Sequence, residues 1–244
     1  MKFEQIRRNL GSVQNLKCLD IGSDNGVISY KLRQLGGTWS SADIDPRSVQ
    51  AMRELVQMRV FHIDGESLPF DDGEFQKVVI VDFLEHIPHD TAFMREVHRV
   101  LKPGGTLVLN APLTRDGWLM KFRARLGLTE ELHGHLRPGY SIEEFESLTE
   151  RAGFEIKMVG THTRTVSKLL DTLMVWAISE LIQSQNIEGG TRGVIVERKD
   201  LDRHRWEARL FALIYPMLYL TSMIDRLLPF DPGYMIIARA LRQA

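Results

Sequence analysis

The sequence predicts an α/β protein organised on a doubly wound parallel sheet. Three observations carry that expectation. From Lys17 a short apolar strand runs into a turn bracketed by Gly22 and Gly26 and then into a helix-like segment, Val27 to Leu35. Strand-like and helix-like segments alternate from there to Val159. The uninterrupted apolar run Val78 to Val81 has the character of a central parallel strand buried on both faces.

Each element has its own signal. Phe3, Ile6 and Leu10 recur at spacings of three and four, which predicts an amphipathic helix that caps the sheet. Gly36 and Gly37 stop the helix after the glycine turn, and Thr38 to Ile44 reads as the second strand. Pro46 suits the first turn of a helix carrying Val49, Met52, Leu55 and Val56 on one face. Val60 to Ile63 and Gln76 to Val81 are the next strands, and Leu84, Ile87, Phe93, Val97 and Val100 are assigned to helical core faces. Lys102-Pro103-Gly104-Gly105 breaks the chain before a strand at Thr106 to Asn110. Ala111 to Tyr140 reads as an irregular stretch rich in aromatic and basic residues. Ser141-Ile142-Glu143-Glu144 is a capping box that opens a helix through Ala152, Gly153 ends it, and Phe154 to Val159 is a strand. Two long helices follow, Thr165 to Ser184 and roughly Leu201 to Leu228, before a last strand at Tyr234 to Ala240.

Composition sets broad limits. A formal net charge of -1 gives no electrostatic reason to expect nucleic-acid binding. The single cysteine, Cys18, cannot form an internal disulfide, and the first residues carry Glu4 and no apolar core of a secretory signal. A reducing, cytoplasmic location is the expectation. The charge-free run from Leu210 to Ile224 is shorter than the roughly 20 apolar residues a membrane span needs.

Open α/β sheets hold their ligands at the carboxyl ends of the strands, where a glycine turn lets backbone N–H groups and a helix N-terminus approach the ligand. Here the residue two after Gly22 is Asp24, whose carboxylate would sit near a pyrophosphate, so a nicotinamide dinucleotide is disfavoured. Asp20, Asp43, Asp64 and Asp82 at the strand ends suit a ligand with cationic groups and free ribose hydroxyls. Asp43, about 20 positions past the glycine turn, is placed to accept from ribose.

Five stretches then carry a family resemblance: Leu19 to Gly26, Ala42 to Pro46, Asp64 to Phe70, Val81 to Ile87 and Leu101 to Leu107. In this register the chain resembles the class I S-adenosylmethionine-dependent methyltransferases, of the type 11 or ubiquinone-menaquinone methyltransferase-like group. The resemblance covers roughly residues 15 to 160. It implies a Rossmann-like, mostly parallel sheet with an antiparallel last strand, and therefore a helical insertion before that strand. Residues 1-160 are then the cofactor-binding core, 161-232 the insertion, and 233-244 the last strand of the core sheet. It also implies S-adenosyl-L-methionine as cofactor. Gly22, Ser23 and Gly26 would make backbone contacts, Asp20 and Asp24 would lie at the ammonium, Asp43 at the ribose, and Ile44 would also belong to the cofactor site. Asp64 and Gly65 would hold the adenine, with Asp82 and Phe83 beside the methionine portion.

The implied acceptor is a small or lipid-like molecule, with His133 or His135 as the base that takes or orients its proton. No metal site is expected, because Glu85-His86 has no second ligand at metal spacing and His133-Gly134-His135 leaves the other ligands unnamed. The helices of 161-232 are read first as a lid, then as a surface for a membrane or an apolar acceptor, and third as a dimer interface. Asp24 stands where the family usually has glycine, so a non-catalytic cofactor-binding or scaffolding module stays open. A nicotinamide-dependent oxidoreductase remains the more distant alternative.

Overall fold

The protein is described here from a computed structural model, which covers residues 2–128, 134–183 and 232–243, with 216, 220, 221, 224 and 225. Seven strands form one sheet in the order β3-β2-β1-β4-β5-β7-β6. They are β1 (Lys17–Ile21), β2 (Thr38–Asp43), β3 (Val60–His62), β4 (Phe75–Val81), β5 (Leu101–Pro112), β6 (Phe154–His162) and β7 (Met235–Arg242). β1 to β5 pair in parallel, whereas β7 lies antiparallel to both β5 and β6. The mostly parallel sheet with an antiparallel last strand is therefore present. The chain starts in the middle of the sheet, winds outward through β2 and β3, and returns to place β4 on the other side of β1. That reversal opens a crevice at the carboxyl ends of β1 and β4, where ligands bind in such sheets.

The helices are α1 (Lys2–Leu10), α2 (Val27–Arg33), α3 (Pro46–Val56), α4 (Asp90–Val100), α5 (Trp118–Arg125), α6 (Ile142–Arg151) and α7 (Thr165–Gln183). The apolar run in β4 divides by alternation. Val78 and Ile80 join a core beneath α4 and α6, while Val79 and Val81 join a second core beneath α1 and α2. Both faces of the central strand are thereby closed to water. In α1, Ile6 and Leu10 are fully buried in the second core, so the sequence's amphipathic stripe does cap the sheet. The Ser141–Glu144 capping box forms as read, with both reciprocal hydrogen bonds in place.

Local differences have local causes. β5 begins at Leu101 rather than Thr106, because Leu101 already pairs with Phe75 before the register shifts across the glycines. Leu84 lies in a short 3-10 turn, Leu84–His86, and Ile87 is extended, so the core helix starts only at Asp90. The stretch expected to be irregular contains α5, in which Leu119 and Arg123 are buried four residues apart. A buried arginine at the second of those positions breaks the apolar period that would have announced the helix. The first tail helix matches its reading. The second, Leu201 to Leu228, lies outside the described residues apart from a few positions. Among the described residues no helix is long and apolar enough to cross a membrane.

Candidate functional site

The turn after β1 is fixed by packing on both sides. Gly22 has φ +85°, and a Cβ there would lie 2.3 Å from the Val81 carbonyl oxygen and 2.8 Å from Cβ of Phe83. Gly26 has φ +80°, and its Cβ would sit 3.0 Å from Met52 on α3. The sequence suggests that one of these glycines is needed for ligand approach. The structure gives Gly22 a collision with the protein itself and Gly26 a tight contact with Met52, both in a backbone region that favours glycine. Asp24, between them, also adopts positive φ, at 50°.

The acidic residues at the strand ends divide into two groups. Asp20, expected at the ammonium, is fully buried and turned into the fold. It accepts from Ser23 Oγ at 2.8 Å, Ser41 Oγ at 2.7 Å and Ser29 Oγ, with the Arg33 guanidinium 3.5 Å away. Burial raises its pKa against the opposing pull of the three hydroxyls and Arg33. Its bonds tie β1, β2, α2 and the turn together, whereas Asp24 lines the cavity described below. Asp43 is also fully buried and accepts from the Asp45 backbone N–H at 3.0 Å. Asp64 is exposed and forms an Asx turn, accepting from the N–H groups of Glu66 and Ser67, both at 2.9 Å. Those two bonds hold its carboxyl below the usual range. Gly65 is buried at φ +81°, and a Cβ would meet Ile87 at 2.8 Å. Ile44 packs partly buried against the main core, and its carbonyl receives His62 at 3.0 Å. Phe83, expected beside the methionine portion, is fully buried and packs on Phe93 at 4.9 Å between ring centres.

A cavity of about 620 Å³ opens at the carboxyl ends of β1 and β4. Gly22, Ser23, Asp24 and Asn25 form one wall, and Asp82 also lines the cavity. Asp82 has φ 44°, an uncommon conformation for a non-glycine residue and one that collects at functional sites. Its carboxylate pairs with the Lys2 ammonium and accepts from Asn110 Nδ2 at 2.6 Å. Asn110 Oδ1 in turn lies 2.7 Å from His162 Nε2, so that nitrogen carries the proton, and Thr163 Oγ1 lies 2.9 Å from Nδ1. Burial and the Lys2 charge push the His162 pKa down to about 4, keeping the imidazole neutral. Burial alone would lower the Lys2 pKa, but the Asp82 carboxylate prevails and raises it. The first helix thus also flanks the opening, a role that its apolar stripe did not reveal.

The far wall comes from α5, α7, β7 and the residue that follows β5. Leu113, Met120, Leu170, Met174, Val175 and Met235 make it apolar, and three ionisable groups interrupt it. Arg123 is buried, donates to Thr172 Oγ1 at 2.9 Å and lies 3.7 Å from Asp171. Lys168 lies 3.6 Å from the same Asp171, and burial pulls its pKa below the ordinary lysine value. Of the two histidines proposed as bases, His135 lines the cavity beside Glu85 and His86. His133 lies outside the described residues. Lys2, Arg123, Lys168 and His162 were not selected from the sequence. A lone basic residue normally reads as solvated surface, and only the fold shows Lys2, Arg123 and Lys168 to line the cavity and His162 to stand behind Asn110.

Comparisons with known proteins show what this chain is similar to. Residues 19–109 match the family described as "Methyltransferase domain". That segment is similar to the methyltransferase domain family. The match begins in β1 and ends in β5, so the matched segment contributes the glycine turn, Asp43, Asp64 and Asp82, while the apolar far wall lies beyond it. The chain is 31% identical over 100 residues to a ubiquinone biosynthesis O-methyltransferase of Xanthomonas oryzae pv. oryzae, covering 38% of this chain and 42% of that protein. It is 27% identical over 111 residues to the sterol 4-C-methyltransferase strm-1 of Caenorhabditis elegans, covering 43% of this chain and 33% of that protein. The chain thus spans less than half the length of these curated relatives. The solved structure of an S-adenosylmethionine dependent methyltransferase from Mesorhizobium loti aligns with 98% of this chain and 96% of its own, with a TM-score of 0.61 and 16% identity. At that identity the likeness is one of fold.

Proposed function

We propose that the protein is an S-adenosylmethionine-dependent methyltransferase that modifies a small or lipid-like acceptor. One observation carries the reading: the turn of the methyltransferase domain opens directly onto the 620 Å³ cavity, with Asp24 and Asp82 on its lining. Carboxylates at that position suit a ligand bearing an ammonium and a sulfonium and repel a pyrophosphate. The bound cofactor supplies a methyl carbon already activated by its sulfonium, which leaves positioning to the protein.

In this reading the Gly22–Gly26 turn and Asp24 bind the methionine end, Asp43 with Ile44 the ribose, and Asp64 with Gly65 the adenine. Asp82, clamped by Lys2 and Asn110, fixes the cofactor's orientation at the mouth of the cavity. The apolar wall of α5 and α7 receives the body of the acceptor and excludes water from the transfer. Lys168, whose ammonium is destabilised by burial, takes the proton from an acceptor hydroxyl at Nζ, and Arg123 steadies the resulting oxyanion. The two curated relatives are named for acting on a quinone precursor and a sterol, and this apolar wall with its few cations is consistent with that class of acceptor. In-line displacement, a membrane-surface contact and a homodimer belong to this proposal as its finer parts.

Calorimetric titration of the chain with S-adenosylmethionine, its demethylated product and NAD tests the reading. The first two should bind and NAD should not. Labelled methyl transfer to apolar hydroxylated acceptors then separates an enzyme from a scaffold. Binding of NAD alone would overturn the cofactor assignment.

A further inference from the structure

Three residues that read separately in the sequence as poor metal ligands meet in the cavity. Glu85 and His86 come from the 3-10 turn after β4, and His135 comes from the segment before α6. One ligand atom from each lies within 4.8 Å of the other two. Two imidazoles and a carboxylate around a common point are the donor set of divalent first-row metal sites, which bind nitrogen and oxygen at about 2.0–2.2 Å. Atoms sharing such an ion stand at most about 4.2 Å apart, so the trio closes on a metal with side-chain shifts of under about an ångström.

The surroundings prepare this arrangement. His86 Nδ1 lies 3.0 Å from the Gly134 carbonyl oxygen, which can only accept, so Nδ1 carries the proton and Nε2 is the nitrogen that a metal would take. The Leu136 N–H donates to the Glu85 carbonyl at 2.8 Å. These two bonds bracket His135, locking its backbone to the turn that carries the other two residues. The His86 and His135 rings meet edge to face at 4.8 Å between centres. Glu85 is fully buried and His86 nearly so, while all three border the cavity. An ion held there would have protein ligands on one side and an open side toward the cavity, as sites that act on a bound oxygen do.

We infer that Glu85, His86 and His135 form a binding site for a divalent transition-metal ion, facing the acceptor side of the cavity. The site itself does not depend on the proposed methyl transfer. If that transfer occurs, the ion's place is on the acceptor's oxygen, lowering its pKa, and His135 serves as a ligand rather than as the base.

The full chain is stripped with chelator and titrated with Co(II) and with Zn(II), following the Co(II) ligand-field spectrum and the metal retained after dialysis. One ion per chain is expected, with Zn(II) displacing Co(II). Glu85→Gln and His135→Asn should each weaken binding by at least about tenfold, with circular dichroism and thermal melting showing that both variants fold. His98→Asn, outside the trio, should bind as the parent does. Should either variant fail to fold, histidine NMR on the parent decides: paramagnetic Co(II) must broaden His86 and His135 and spare His98. Absence of stoichiometric Co(II) or Zn(II) binding would overturn the inference, as would binding that both folded variants leave unchanged. The cofactor titration above reads neither outcome, so failure of the metal site and failure of the methyltransferase reading are distinguishable.

Discussion

The two ends of the crevice are built on different principles. Around β1, β2 and β3, the conspicuous acidic and glycine positions are bound into the fold. Asp20 takes three hydroxyls and an arginine, Asp64 closes its own turn, and Gly22 and Gly26 make room for neighbouring backbone and side chain. Around β4, β5 and α7, the ionisable groups that face the cavity come from remote parts of the chain and are linked by polar contacts to one another or to groups behind them. Asp82 reaches Lys2 and Asn110, Asn110 reaches His162, and Asp171 lies between Arg123 and Lys168. A contiguous motif can therefore record mainly the construction of a binding turn, while the groups able to do chemistry are assembled by tertiary structure.

Substitutions at the two ends should separate stability from chemistry, and the largest effect belongs to the first end. Gly22→Ala forces a Cβ to 2.3 Å from the Val81 carbonyl oxygen at a positive φ, so it should cost about 4 kcal/mol or more in chemical denaturation. A loss below about 1 kcal/mol would mean that the turn yields easily and that the contrast is overstated.

His162, at the second end, should make stability depend on pH. Its folded pKa is depressed to about 4 from an ordinary 6.5, so the unfolded chain binds the extra proton first. The stabilisation is complete above pH 6.5 and is lost as pH falls toward 4, amounting to about 3 kcal/mol across that window. Urea midpoints measured through this range should show that slope, and His162→Gln should flatten it. An unchanged slope in the variant would assign the acid sensitivity to other groups.

Lys168→Met tests the chemistry directly. If Lys168 is the base, kcat should fall by about a hundredfold while the substrate KM changes little. The rise of activity with pH, which follows loss of the Lys168 proton below the ordinary lysine range, should also disappear. Thermal stability should hold or improve, because a buried ammonium is removed. Equal losses of stability and activity would recast Lys168 as part of the frame.

Asp64→Ala should show the smallest change in stability, under about 1 kcal/mol, since the lost Asx turn is exposed. Its value lies in the cofactor titration. An affinity change below about twofold would confine Asp64 to the turn and give the adenine no carboxylate there.

The strand and helix pattern was legible in the sequence because each signal is local. Period-2 and helical apolar spacing, the capping box and the glycine stops each act within a few residues, and they placed β1 to β4, α1 to α3 and α6 closely. The helix Trp118–Arg125 was hidden because Arg123 occupies a buried position that the pattern assigns to an apolar side chain. The candidate site was legible only in part. The residues at the strand ends could be named, but sequence does not say which way a carboxylate turns. Asp20 turned inward because three hydroxyls and Arg33 waited on that face, while Asp82 turned to the cavity beside Lys2 and Asn110.

By itself the sequence determined the alternation of elements, the glycine turn and the family resemblance, all of which reside in short contiguous stretches. Tertiary structure alone decided that Lys2 meets Asp82, that His162 stays neutral behind Asn110, that Lys168 is buried over the cavity, and that His135 joins Glu85 and His86. Each of these depends on bringing together residues far apart in the chain. Burial and proximity, which set the charge and reactivity of such groups, exist only once the sheet has brought them together.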